Sequence, residues 1–390
     1  MTTLNRLHLA VAASLALASS VAHAQRIVEL TPASNQKTVL ASLQPGDTLR
    51  ITGSFTSIFA MANRDFGRLT IDASGAQFLA GLKINNVHNV SFIGGTYGRS
   101  DVELAAWQTV RIDNSSHISF ANATVIGNGD DRGTGLLVAT SSFVTLRDSR
   151  FQGHLTGIGV RSSTDVMVMR NQITGSTADG INIIDNQRVI VGSNSCSAFV
   201  AWQGGHPDCI QLWSLTGRPL QADVFVLNNS SIGFQQGYLS SDPKTGSGTR
   251  LLFAGNYVLT STSHGITCGN CTESQFFENV ISNLPTAANG APSLKLGPSP
   301  TNIVGVNQFY DLRGRTDGWL PSPTWSAYVP AIAGMIGSRW DGGLSAFGAA
   351  NGALAAAAVP EPANWVMLGL GFALIGRKLR RRRQPPHVMA

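Results

Sequence analysis

Four side chains in the middle of this 390-residue sequence are of the types that move protons: Asp179, His206, Asp208 and His264. Two of them fall in GGHPDCIQLW, residues 204–213, where a carboxylate follows His206-Pro207 at the start of an alternating apolar run. An ionised carboxylate left unpaired in an apolar core is too costly to keep, so Asp208 must lie at a surface or be held there for a reason. Two carboxylates brought close together push one of the pair toward its protonated form, and the pair then offers one acid and one base. His206 beside Asp208 adds a group that changes charge near neutral pH. Each residue also has a structural reading: an Asp at a tight corner caps the turn by accepting backbone N–H bonds, and a lone His more often packs than reacts. For Asp179 both readings stand. For Asp208 the inserted loop SAFVAWQGGHP favours function, because it gathers Trp202, His206 and Asp208.

Positioning these residues requires a repeat, and one is present. TGLLV at 134, TGIGV at 156, DGINI at 179, DCIQL at 208, QGYLS at 236 and HGITC at 264 align, with steps of 22, 23, 29, 28 and 28 residues. Self-similarity at such a period means stacked coils or blades. Apolar residues alternate within each unit, as in Ile181/Ile183 and Ile210/Leu212, and again on a second strand at Val166/Val168, Val189/Val191 and Val224/Val226. Period 2 marks strands with one face inward. Asn171, Asn228, Asn256 and Asn279 recur where the chain must bend, and Asn tolerates left-handed turn conformations. The units are too short for the four strands of a propeller blade. The expected fold is all-β: a single-stranded right-handed parallel β-helix, a solenoid whose coils hydrogen-bond to one another at about 4.8 Å spacing. Stacking then puts Thr134, Thr156, Asp179, Asp208, Gln236 and His264 in one column, with the two carboxylates on neighbouring coils roughly 5 to 8 Å apart. That interval straddles the retaining and inverting geometries of glycosidases and selects neither.

Composition agrees with a large β core: 43% of the chain is hydrophobic, only 13% is charged, and 42 residues are Gly, so the charged faces of helices are missing. The formal charge of +6 is not a nucleic-acid signature. Six positive residues sit in RKLRRRR, 377–383, and Arg6 adds a seventh, which leaves the body between them with no basic excess to attract phosphates.

The open ends of a solenoid need covers. Residues 25–67 are expected to form an N-terminal cap and opening strands, 68–283 the β-helix, 284–345 an irregular C-terminal extension rich in Pro, Gly and Trp, and 346–358 a linker. Residues 1–24 read as a secretory signal, with an apolar run from Leu9 to Ala18 and small residues at Ala22 and Ala24. The end joins Val359-Pro360-Glu361-Pro362 to an apolar run, Trp365 to Ile375, of 11 residues, shorter than the roughly 17 to 25 that span a bilayer. An ordinary membrane anchor is one reading of residues 359–390. They also resemble the PEP-CTERM sorting signal of Gram-negative bacteria that make exopolysaccharide. That resemblance implies transient residence in the inner membrane, processing by an exosortase-type enzyme, and a final place in the periplasm, on the cell surface or in the extracellular matrix. Export puts the four cysteines in an oxidising compartment. Cys196 and Cys209 bracket the insertion and are expected to be bridged, whereas Cys209 and Cys268 lie two coils apart, beyond the roughly 7 Å Cα limit. Cys268 and Cys271 are left open between a tight disulfide, free thiols and a metal site with His264.

TADGINI, PDCIQL and SHGITCGN resemble three consecutive motifs of polygalacturonase-type glycoside hydrolases, which read roughly NTDGIDI, DDCIAI and GHGISIGS, and LASLQPGDTLRITGSF, 40–55, resembles the N-terminal cap of pectate-lyase-like β-helices. The resemblance implies that Asp179 and Asp208 are catalytic aspartates and that His264 is the active-site histidine. Three departures bear on it: Pro207 replaces a further Asp, an extra coil at Gln236 separates Asp208 from His264, and the Arg-x-Lys clamp is missing, although Lys244 and Arg250 lie nearby. Trp202, Trp213 and Tyr238 offer flat rings for sugars, with Gln211 beside them. The expected activity is that of a monomeric exported enzyme acting on exopolysaccharide or a uronic-acid-containing glycan, with Asp208 as acid, Asp179 as base and no cofactor. A lyase or epimerase is the alternative, with Lys244, Arg250, His206 or a Ca2+ ion neutralising the substrate carboxylate. A non-catalytic exopolysaccharide-binding protein is the third reading, favoured by Pro207.

Overall fold

The structure is a computed structural model that describes residues 26–101, 108–129, 133–201, 205–240, 247–288 and 290–323. The signal segment, the linker, the sorting tail, residues 324–345, Trp202 and Lys244 lie outside the described residues, and so do the expectations placed on them.

The fold is a right-handed parallel β-helix of about nine turns. Every strand pairs in parallel with its counterpart one coil later, and the alternating apolar residues stack: Ile158 on Ile181, Ile181 on Ile210, Ile210 on Tyr238, Tyr238 on Ile266. Each coil has three faces. Face 1 contains Thr134–Ala139, Thr156–Arg161, Ile181–Ile184, Asp208–Trp213, Gln236–Ser240 and His264–Cys268. Face 2 is represented by Gln187–Gly192 and Ala222–Leu227, and face 3 by Ser195–Ser197 and Ser230–Gly233. The inward residues of all three faces form one continuous buried core. At roughly 1.5 to 3 kcal/mol per buried aliphatic side chain, this core is the main source of stability.

Between faces 2 and 3 the chain turns in two residues. The first is left-handed, as at Arg170, Ser193, Asn228 and Glu278. The second is a buried Asn: Asn171, Asn194, Asn229, Asn256 or Asn279. Among the four asparagines expected to take the left-handed turn, only Asn228 does so. Asn171, Asn256 and Asn279 instead form an amide ladder between coils, because a buried side-chain carbonyl and amide can satisfy main-chain groups that the turn leaves unpaired.

The strand stack extends beyond 68–283 at both ends, from Ile27–Leu30 to Gln308–Tyr310. The helix Gln36–Ser42 lies at the N-terminal end, capped by the Asn35 side chain, which accepts the Thr38 N–H at 3.0 Å.

Candidate functional site

A column of glycines creates the corner that carries the titratable residues. Gly135, Gly157, Gly180, Gly237 and Gly265 follow the corner residue in five of the six aligned coils, and a Cβ on Gly237 would come within 2.0 Å of the Gly265 carbonyl oxygen. Cys209 occupies the same column with a side chain. Its Sγ is bonded to Cys196 on face 3, with the Cα atoms 5.5 Å apart, so the expected bridge is present. Where other coils place Ile or Val against this corner, the Cys209 coil has the small Ser231. Cys268 and Cys271 form a second disulfide.

The pairing register reproduces the expected column: Thr134 with Thr156, Asp208 with Gln236, and the Asp179 and Asp208 coils directly stacked. Asp208 opens its strand with a side chain that is 0% exposed, not at the surface. Its backbone N–H donates to Asp179 Oδ1 at 3.2 Å, and its Oδ2 lies 3.6 Å from His206 Nδ1 and 3.5 Å from Gln211 Nε2. Asp179 is buried as well, and burial, with the Asp208 charge second, pushes its carboxyl up to about 7, against the opposing hydrogen bonds from the Asp208 N–H and the Asn182 side chain. The His206 side chain stands 56% exposed in front of this pair.

His264 is half-buried, with its Nε2 3.3 Å from Lys295 Nζ on the next coil. Burial, and then the charges of Lys295 and His206, hold its pKa below the ordinary imidazole value, which favours the neutral ring. The face thus presents two imidazoles and an ammonium to solvent, with Gln211, Leu239 and Thr267 on the outward positions from the Asp208 coil to Lys295 and Asn182 one coil before them.

Two expected ligand residues fall elsewhere. Tyr238 is a core residue, 1% exposed, with its hydroxyl donating to the Tyr257 carbonyl at 3.4 Å. It occupies the inward position of Ile210 and Ile266, so it does not face a sugar. Arg250 is at a left-handed corner of face 2, paired with Asp223 at 2.7 Å, away from the Asp208 corner. Trp213 is partly buried at the far end of the Asp208 strand, about 17 Å along it by strand rise. Gln211 lies beside the corner, its Nε2 3.5 Å from Asp208 Oδ2. The residues missed are Asn182 and Lys295. Asn182 stands at the same offset from Asp179 as Gln211 from Asp208 and was readable from the alignment; Lys295 lies one coil beyond the last aligned unit, in a segment without the glycine signal. Among the described residues no group of three or more His, Cys, Asp or Glu is arranged to hold a metal.

A family profile described as a right handed beta helix region matches residues 80–204. No relative among curated protein sequences matches the chain. Among solved structures, the Dettilon tailspike protein superposes with a TM-score of 0.55 at 16% identity over 73% of this chain and 62% of its own. Pectate lyase Pel9A superposes with a TM-score of 0.50 at 14% identity over 78% of this chain and 82% of its own. An alginate lyase from Paenibacillus sp. str. FPU-7 gives 0.45 at 14% identity, over 73% and 99%. At these identities the likeness is one of fold.

Proposed function

We propose that this chain is an exported polysaccharide-active protein that cleaves a uronic-acid-containing glycan by β-elimination at the face 1 corner. The observation that carries the reading is the contact between neutral His264 and the Lys295 ammonium, with His206 within electrostatic reach. Lys295 meets the substrate carboxylate and lowers the cost of carbanion character at C5. The carboxylate draws Lys295 away from His264 Nε2, which then takes the C5 proton. The electron pair left behind forms the C4=C5 double bond, the C4–O bond breaks, and the leaving oxygen takes a proton from His206, whose Nδ1 lies 3.6 Å from Asp208 Oδ2. Asp208 and Asp179 act behind the histidine as positioning residues. A hydrolase with Asp208 as its acid is less well supported, since that carboxyl has no exposed surface with which to reach a glycosidic oxygen.

One observation favours hydrolysis: a carboxyl near pKa 7, that of Asp179, suits a general acid. The two readings separate in one assay of polygalacturonate and alginate. Elimination produces unsaturated ends that absorb in the ultraviolet, and His264→Gln should lower that rate by about 100-fold or more. New reducing ends without absorbance, lost in Asp179→Asn, would establish the hydrolase instead. Binding without either product would establish a glycan-binding protein. The two disulfides support an oxidising location, and the proposal includes export by residues 1–24 and removal of residues 359–390 by an exosortase-type enzyme at the inner membrane. The intact mass of protein recovered from the cell surface checks both cuts.

A further inference from the structure

Face 1 carries a second feature, five coils before Gln211. A cavity of about 330 Å3 opens there, lined by Ile58, Leu82, Lys83, Gln108, Thr109 and Arg111. Lys83 and Arg111 are register partners on adjacent coils. Arg111 is fixed in the wall by Asp113 and, through Nη1, by Gln108 Oε1 at 3.1 Å. Lys83 is exposed and has no ion-pair partner among the described residues, so its charge is the one the cavity offers. Ile58, 47% exposed, supplies an apolar wall beside these polar groups. A cation next to an apolar surface suits a sugar that carries a carboxylate, because the sugar's C–H face and its charge are met together.

The pairings also connect this cavity to the corner site. The outward positions run Lys83, Arg111, Leu137, Gly159, Asn182, Gln211, Leu239, Thr267 and Lys295, coil by coil. No residue of that column is acidic. Arg161, two residues beyond Gly159, is a further exposed cation, and the one acid among these neighbours, Asp113, is engaged by Arg111. Gly159 and Leu137 leave a smooth floor between the cavity and Asn182. Eight coil rises separate Lys83 from Lys295, about 38 Å.

We propose that the Lys83–Arg111 cavity is a remote subsite for an acidic sugar unit, which anchors a long polyuronate whose cleaved or recognised segment lies at the His206–His264 corner. The inference rests on the uronate reading of the corner for its substrate class, whereas its geometry stands apart from that corner. Anchoring far from the reacting bond raises affinity for long chains and leaves short ones, which cannot bridge the distance, unaffected.

The test is titration calorimetry of the full chain with a purified oligouronate long enough to span the eight coil rises from Lys83 to Lys295, a short oligouronate, and a neutral oligosaccharide of the longer length. Lys83→Glu should weaken binding of the long oligouronate by about tenfold, in line with loss of one charge-assisted contact, with Lys83→Arg close to wild type. Short-oligouronate binding and turnover should be unchanged in both, and Lys83 is exposed, so the melting temperature should hold. Long-oligouronate affinity equal to wild type in a folded Lys83→Glu protein overturns the subsite, as does equal affinity for the neutral oligosaccharide. Failure of the corner reading would appear separately, as wild-type turnover unaffected by His264→Gln, and the Lys83 comparison remains readable by binding alone.

Discussion

Two columns of polar residues run through this solenoid, and they follow opposite rules. At the turn between faces 2 and 3 the column is uniform, Asn171, Asn194, Asn229, Asn256 and Asn279, with each side-chain oxygen accepting from the coil before it and each amide donating to a main-chain carbonyl. At the turn into face 1 the column changes at every step or two: Thr134, Thr156, Asp179, Asp208, Gln236 and His264. Repetition of a satisfied amide is what stacking alone asks for, since each coil presents the next with the same unpaired groups. Stacked carboxylates are what stacking alone resists, because burial and like charge both disfavour ionisation. The irregular column is therefore where stability has been given up, and strain of that sort is retained where chemistry or recognition uses it.

The uniform column should be the more sensitive to damage. Asn256 is fully buried, and its Oδ1 accepts the Asn229 N–H at 3.0 Å while its Nδ2 donates to the Val226 carbonyl at 2.8 Å and to Asn279 Oδ1 at 2.9 Å. Asn256→Leu keeps the size and strands all three partners. With about 1–3 kcal/mol for each buried group left unmade, a loss on the order of 3–5 kcal/mol is expected by denaturant titration, the largest effect among these substitutions. A loss below about 1 kcal/mol would mean that the ladder is an ornament of the turn and that the contrast between the columns is misdrawn.

The carboxylate column should respond with the opposite sign. Asp179 has its pKa raised to about 7, so the folded chain holds a proton that the unfolded chain, near 3.8, has released. Stability from this group is fully present below the unfolded value and is lost as pH rises through about 7. Asp179→Asn, which cannot ionise, should flatten that decline and be more stable than wild type at pH 8 by on the order of 1–3 kcal/mol. Melting temperatures of the two proteins from pH 4 to 8 decide the matter: parallel curves would show that the buried pair does not share a proton.

Much of this architecture was legible from spacing. Six aligned starts predicted the pairing register residue for residue, because a solenoid converts sequence period directly into stacking. The Cys196–Cys209 bridge followed from the same arithmetic. Side-chain burial was harder to read. Tyr238 aligns with Ile210, an inward position, yet its ring chemistry suggested a sugar platform; the alternation was the better guide. Arg250 is a candidate substrate-binding residue by its closeness in sequence to Gln236, but a coil carries residues around three faces within that distance, and its partner is Asp223 one coil back. Lys295 lay past the last recognisable glycine, where the repeat weakens before the solenoid ends.

The smallest expected change in stability comes from His206, and it bears most directly on what the irregular column is for. Its side chain is more than half exposed, and its contact with Asp208 Oδ2 is 3.6 Å, so His206→Ala removes little packing and a long contact at the solvent edge of the site. A change within about 0.5 kcal/mol is expected, too small to move the melting temperature by more than a degree or two. If His206 protonates the leaving oxygen, the same substitution lowers turnover of a polyuronate by about 100-fold or more, with a smaller change in substrate affinity. His206→Gln, which keeps a hydrogen-bond donor but carries no charge, should be as impaired in turnover as the alanine variant. A His206→Ala protein that turned over normally but melted well below wild type would assign the histidine to folding, and the contrast between a structural column and a working one would then fail at the one residue solvent can reach.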